Sequence, residues 1–394
     1  MKQLKHIIPL TAVCMATLLA ACTADDGPVN GGAAAVIPAA PLPITLRASL
    51  PATTRSTEAG TTHITTQGNN QVLASGVDVD LFLEEDGTGT TYTGQLQYLK
   101  ATAPSGTGDQ GVSNFSFYSE QERTSVVTRY WPPSGSGLYF LAYYPAGSIT
   151  GPVTHTTATA QTFTTAADQG AADAAPANDL LFGTPNGAPI GTPTANPVPR
   201  PSATTMDGRA VNLNFQHCLS KVEVIIQGDG YGIGNGTAGG PTEGTDAHKN
   251  GYDQFGRDQF TAGTITLGTA DDMYLQASIV PSTGAATALE TGTKGVYSLK
   301  NSGVASTDHH YYCIMPPQQL TGRTINLTLA DGGTKSFAIP QADTDSDGTP
   351  DTDVTAQPGK VYTYTITVGL YSLTVTATVG DWTPETVAGT TLKY

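Results

Sequence analysis

The sequence predicts an all-β protein, two tandem β-sandwich domains behind an export signal, and three observations carry that prediction. Glycine (45) and proline (26) are abundant while charged residues make up only 13% of the 394, a composition poor in helix formers and rich in turn formers. Short stretches of alternating apolar and polar residues recur between Gly, Pro and Asp turns, the period-two pattern of half-buried strands. No segment beyond fragments has the periodicity of an amphipathic helix. A hydrophobic share of 38%, with 17 Tyr and 10 Phe, is enough for real cores and argues against global disorder. A net charge of −15 leaves little basic surface to neutralise phosphates, which argues against nucleic acid as a partner.

Residues 1–21 read as a signal peptide. Lys2 and Lys5 form its positive end, and Ile7–Ala21 is an apolar stretch too short to favour a permanent span. Leu19-Ala20-Ala21-Cys22 is similar to a bacterial lipobox, in which cleavage precedes the cysteine and its thiol takes a diacylglyceryl group. Ordinary secretion with Cys22 incidental is the alternative. Asp25 and Asp26 follow, an acidic start compatible with outer-membrane sorting or surface export. The rest of 22–43 is small, Gly- and Pro-rich, and reads as a tether. No later apolar run reaches spanning length, so lipid is the expected membrane attachment.

The first domain is expected over 44–205. Ile44–Leu50 alternates, with Ile44, Leu46, Ala48 and Leu50 on one face. Pro51–Gly76 is polar and Thr-rich and reads as loop. Val77–Leu83 and Gly94–Lys100 alternate again, and Thr124–Arg129 with Gly137–Tyr144 flank a Pro-Pro-Ser-Gly turn as a hairpin. Few apolar runs occupy 145–205 apart from Asp179–Phe182, and Gly183–Ala203, with six prolines, reads as the interdomain boundary.

The second domain is expected over 206–394. It opens with Ala210–Phe215 and Leu219–Gln227, a bulged or bent strand, followed by a Gly-rich surface insertion at 228–258. Strands follow at Thr264–Leu267, Tyr274–Ile279, Val296–Leu299, Tyr311–Met315, Thr324–Leu329 and Ser336–Ile339. Val361–Val368 and Leu370–Val379 make a closing hairpin.

Residues able to do chemistry are few. Cys218 and Cys313 both lie in apolar strand-like runs; an exported chain can oxidise such a pair, and two buried free thiols are the alternative. Asp343, Asp345, Asp347 and Asp351 follow the start of a calcium loop, with Gly348 for the turn. Position twelve is Val354 rather than a bidentate Glu and no helix signals flank it. A looser structural calcium loop and a solvated acidic hairpin tip both remain open. His217 with His309-His310 has no specific metal spacing. No nucleophile elbow, P-loop or dinucleotide fingerprint is present, so no enzyme, and no cofactor beyond that calcium, is expected.

Several segments in order resemble the fimbrillin superfamily, the lipoprotein-precursor subunits of Bacteroidales type V pili. They are the lipobox at Cys22 and the ITLRASLPATTRST run, then Tyr130-Trp131-Pro132 leading into Tyr139–Pro145, then Asp179-Leu180-Leu181. Phe215-x-His217-x-Leu219-Ser220-Lys221, Ile314–Gln318, Tyr362-x-Tyr364-x-Ile366 and Trp382 continue the series. The resemblance implies transthyretin-like, Greek-key sandwiches and a role as structural or tip adhesive pilus subunit. It also implies assembly in which a trypsin-like protease cuts after an Arg beyond the first strand. That strand leaves, and a neighbour's C-terminal segment fills the vacancy. On this chain the bond would be Arg55-Ser56, with Arg47-Ala48 as second choice, and the donor would come from Thr383–Tyr394. The donor's apolar positions are sparse (Val387, Leu392, Tyr394), a departure that favours a tip over a shaft position; an anchor that keeps its lipid and escapes cleavage is the third alternative. Its expected partners are other subunits, the outer membrane through lipid, and a host or bacterial surface ligand. The competing reading is a monomeric surface lipoprotein that binds glycan or host protein through the 145–205 and 228–258 loops, with Tyr231, Tyr252 and Phe255 available to stack on sugars.

Overall fold

The computed structural model describes residues 41–50, 63–67, 70–103, 112–170, 177–185, 187–194, 196–201, 210–228, 264–301, 309–328, 333–342, 352–368, 373–381 and 392–393. The processing candidates Arg55 and Ser56, the lipid site Cys22 and the aspartates 343, 345, 347 and 351 lie outside them. So does the 229–258 part of the insertion.

The described regular structure is nearly all β. The first strands are β1 (Leu46–Ser49), β2 (Ile64–Gln67), β3 (Asn70–Leu73), β4 (Asp78–Glu85), β5 (Thr93–Thr102) and β6 (Ser113–Tyr118). Next come β7 (Val126–Val127), β8 (Leu138–Tyr144), β9 (Gln161–Thr164), β10 (Leu181–Thr184), β11 (Val211–His217) and β12 (Ser220–Gly228). The middle of the second half holds β13 (Ile265–Leu267), β14 (Met273–Tyr274), β15 (Gln276–Val280), β16 (Ala285–Ala288), β17 (Lys294–Gly295) and β18 (Tyr297–Ser298). The last are β19 (Lys300–Asn301), β20 (His309–Met315), β21 (Thr324–Thr328), β22 (Thr334–Ala338), β23 (Lys360–Val368), β24 (Leu373–Asp381) and β25 (Leu392–Lys393).

Eight strands form the first sheet in the order β1-β11-β10-β8-β4-β5-β6-β7, and β1 pairs with β6 as well, so the sheet closes on itself. Its interior is filled by Leu81 and Leu83 of β4, Phe140 and Ala142 of β8, and Leu213 and Phe215 of β11. In the second half, β19-β20-β12-β23-β24-β25 faces β18-β13-β21-β22 across one core, a β-sandwich. Val222, Cys313, Tyr364 and Ile366 from the first layer meet Ile265, Tyr297 and Leu327 from the second. The expected closing hairpin is there as β23 and β24, paired antiparallel along their whole length.

All seven residues of β8 are buried. A strand covered on both faces loses alternation and reads as a continuous apolar run, here LYFLAYY. Its even-numbered side chains enter the closed sheet, while Leu141 and Tyr143 join Phe82, Phe182, Cys218, Leu219, Ala277, Ile279 and Ile314 in a third core between the two halves. Tyr143 is anchored there by donating from its hydroxyl to Pro281 O at 2.6 Å.

This shared core corrects the expected organisation. β11, assigned to the second domain from the sequence, is a member of the first sheet, and the chain crosses into the sandwich at Cys218–Leu219 rather than near residue 205. His217 ends one sheet and Ser220 begins the next, so the expected bent strand is two strands. Strand β9 crosses the other way and pairs with β15. The 145–205 stretch is consequently not a free binding loop: Ile149, Val153, Phe163 and Leu180–Phe182 are buried. The expected hairpin over 132–135 is also absent, since β7 pairs with β6, and β8 with β4 and β10. Within the polar stretch read as loop, β2 and β3 form a two-stranded ribbon that buries Val72 and Leu73.

The Cys218–Cys313 bridge is not formed. Both thiols are free and buried, and they belong to different cores. Cys313 lies opposite Val222 in the ladder, four residues along from Cys218, a spacing beyond the reach of a disulfide.

Candidate functional site

The segment that the family resemblance implies is removable fills the interior of the first sheet. Leu42, Ile44, Leu46, Ala48 and Leu50 are all buried in the first core, while Thr45 is exposed and Arg47 and Ser49 are half-buried. Both edges of the segment are hydrogen-bonded. On one side Trp131 N donates to Leu42 O and Ile44 N donates to Arg129 O, each at 2.8 Å, and Arg47 and Ala48 pair antiparallel with Asn114 and Ser113 of β6. On the other, Val211 N donates to Thr45 O at 2.9 Å, and Leu46–Ser49 runs parallel to Val211–Asn214 of β11. Burying four aliphatic side chains contributes on the order of 8 kcal/mol of apolar transfer. That is comparable with the whole stability of an ordinary domain, so a chain that lost β1 would need a replacement.

A polar cluster lies on the outer edge of this slot. Ser49 Oγ donates to Asn214 Oδ1 at 2.5 Å and accepts from Asn212 Nδ2 at 3.0 Å, and Asn212 Nδ2 also reaches Asn214 Oδ1 at 2.9 Å. Asn214 is held from behind, because its Nδ2 donates to Pro185 O at 3.1 Å. The turn that supplies this carbonyl closes through Gly187, whose φ of +58° suits glycine, and whose missing Cβ would stand 3.2 Å from Asn214 Cβ. At the slot's other end Arg129 is half-buried, and its buried Nε has no hydrogen-bond partner.

Leu50 and His63, which flank residues 51–62 in sequence, are both buried. His63 stacks on Tyr144 at 4.8 Å, and its Nε2 lies 3.0 Å from Asp179 Oδ2. The other carboxylate oxygen of Asp179 is 2.7 Å from His217 Nδ1. Burial alone would raise Asp179, but the charges and hydrogen bonds of His217 and His63 outweigh it and hold the carboxyl well below the usual carboxylate range. This cluster joins β2, β10 and β11 and belongs to the filler's surroundings rather than to a metal site. His310 instead faces Glu223 at 3.8 Å, and no group of three such side chains is placed to hold a metal ion among the described residues.

Sequence reasoning singled out Arg47 and Ala48 here, and the structure places both inside the ladder. It missed Ser49, Asn212, Asn214 and His63. Alternating Asn residues in Val211–Phe215 were the available signal, because asparagine is depleted in strands.

A family model described as fimbrillin-like matches residues 54–382. No curated protein matches the chain. Among solved structures, a candidate cell adhesion protein of Bacteroides ovatus is 15% identical with a TM-score of 0.55, covering 88% of this chain and 99% of its own. One from Bacteroides uniformis is 16% identical with a TM-score of 0.51, covering 87% and 98%. The tip fimbrial protein Mfa3 of Porphyromonas gingivalis, with a C-terminal truncation, is 13% identical with a TM-score of 0.41, covering 86% and 100%. At these identities the likeness to the two Bacteroides proteins is one of fold.

Proposed function

The chain belongs to the fimbrillin-like family, and from that premise we propose that it is a structural or tip subunit of a cell-surface pilus, made as a lipid-anchored precursor and assembled by strand exchange. One observation carries this reading. The filler strand is seated between β6 and β11, yet after a cut at Arg55 nothing covalent would hold it to the rest of the chain. The lipid on Cys22 would leave with the filler, and the open slot would take an extended strand through ladder bonds and alternating side chains. The slot is a strand site rather than a catalytic one. The aspartates of 343–351 are a separate proposal, a structural calcium loop, for which calorimetry with calcium is the check.

Treating the purified full-length chain with an Arg-specific, trypsin-like protease tests the reading. The expected products are a new N-terminus at Ser56, loss of the fragment carrying β1, and SDS-resistant ladders. A chain that stays monomeric after the cut, or is never cut, is the monomeric binder instead.

A further inference from the structure

We propose that the Arg123–Thr124 bond is a second, latent cleavage site for an Arg-specific protease, closed while the first sheet is assembled because that sheet holds the Arg123 guanidinium inside. The proposal rests on the processing reading above and extends it: the enzyme that releases β1 also cuts chains whose first sheet has opened at this turn.

The turn between β6 and β7 meets solvent at Ser119, Gln121, Glu122, Thr124 and Ser125, whereas the Arg123 side chain is only 4% exposed. An arginine in a surface turn ordinarily keeps its charged head in water. Here the head turns onto the sheet. Its Nε donates to Leu99 O at 2.9 Å and its Nη1 to Gln121 O at 2.8 Å. Nη2 donates to Asp80 Oδ1 at 2.7 Å and to Val79 O at 3.3 Å, and the guanidinium carbon lies 5.3 Å from the centre of the Tyr98 ring. Asp80 is aimed from its other side, because its Oδ2 accepts from Gly147 N at 2.6 Å. Strands β4 and β5 and the turn after β8 together make this socket.

The backbone bends to reach it. Among the described residues Arg123 is the one non-glycine with a left-handed φ, +51°, a conformation that costs any residue with a Cβ. The buried, charge-assisted bonds of the side chain offset that cost. A trypsin-like protease takes its arginine into an acidic pocket of its own. The carboxylate of Asp80 already fills that role, so the guanidinium cannot reach the enzyme until the socket lets go. Glu120 shapes the turn separately, its Oε1 accepting from Thr124 N at 3.0 Å and Ser125 N at 2.7 Å. These bonds lie in water and hold less than buried ones. A cut here would sever β6 from β7 and loosen the segment whose Arg129 and Trp131 backbone bonds hold Ile44 and Leu42. An opened chain so cut would lose part of one wall of the β1 slot.

The test digests the full-length chain with an Arg-specific protease and reads the new N-termini by sequencing, with circular dichroism and the thermal midpoint recorded for each variant. The wild type should yield Ser56 and no Thr124. Asp80→Asn should yield Thr124 about tenfold faster than wild type, and its ladders should fall as that product accumulates. Tyr98→Ala removes only the ring beside the guanidinium and should raise the same product about threefold; it decides the matter if Asp80→Asn does not fold. Glu120→Ala leaves the socket intact and should stay uncut at Thr124. A Thr124 product from folded wild type, no rise in the folded variants of Asp80 or Tyr98, or a cut in Glu120→Ala as fast as in Asp80→Asn would overturn the lock. Undiminished ladders from Asp80→Asn as its Thr124 product builds up would overturn the rejection of opened chains. If Ser56 never appears while Thr124 follows the expected pattern, the strand-exchange reading falls and the lock stands.

Discussion

Asp179 lies between two imidazoles with almost no water to share its charge, and both partners come from segments far from it in sequence. Its carboxyl is depressed below its ordinary 3.8. A depressed carboxyl contributes stability that is complete above the unfolded value and is lost as pH falls through the folded one. Acid should therefore destabilise the chain progressively below about pH 4, measured as the denaturant midpoint against pH. Asp179→Asn should cost about 3 kcal/mol at neutral pH and flatten that acid limb. The two thiols make a second prediction at this scale. Burial pushes both Cys218 and Cys313 up, and neither is exposed. In the mature chain both should resist a thiol reagent while folded and react fully in denaturant without reductant; a chain needing reductant first would restore the bridge.

At the level of single strands, the pairing of β1 bears on Arg47, the second candidate for processing. Arg47 is paired on both sides, to Asn114 and to Asn212, and a protease needs an extended substrate that it can take into its own cleft. Arg55 lies outside the described residues. Arg55→Ala should abolish release of the N-terminal fragment, whereas Arg47→Ala should leave the cleavage pattern unchanged, as read by N-terminal sequencing. Leu46→Ala should weaken the seating of β1 by about 3 kcal/mol, seen as faster loss of the fragment after the cut. β11 has the complementary role, because it lines the slot with Val211–Asn214 and ends at His217 beside Asp179.

For the whole described molecule the decisive feature is the third core. Residues 40–394 form one compact unit, with Phe82, Tyr143 and Phe182 packed with Ala277, Ile279 and Ile314. The two halves should therefore unfold in a single transition in guanidinium, with fluorescence and circular dichroism coincident. Fragments 44–205 and 206–394 should each fail to fold, since the first lacks β11 and the second lacks β9. Two separate transitions, or a folded 44–205 fragment, would contradict this.

The strand character of the chain, the filler pattern from Ile44 to Leu50 and the closing hairpin were legible in the residues, because period-two alternation and turn chemistry are local. Partnership was not. Nothing in Val211–His217 says that it joins a strand more than 160 residues earlier, nor that Asn212 and Asn214 bracket Ser49. The sequence by itself determined which segments are strands and which arginines a protease could recognise. Only the tertiary structure decided that Arg47 pairs with both Asn114 and Asn212, that the cysteines sit in separate cores, and that the two halves share a third. Alternation specifies a face, whereas register and partner depend on long-range packing that no local pattern encodes.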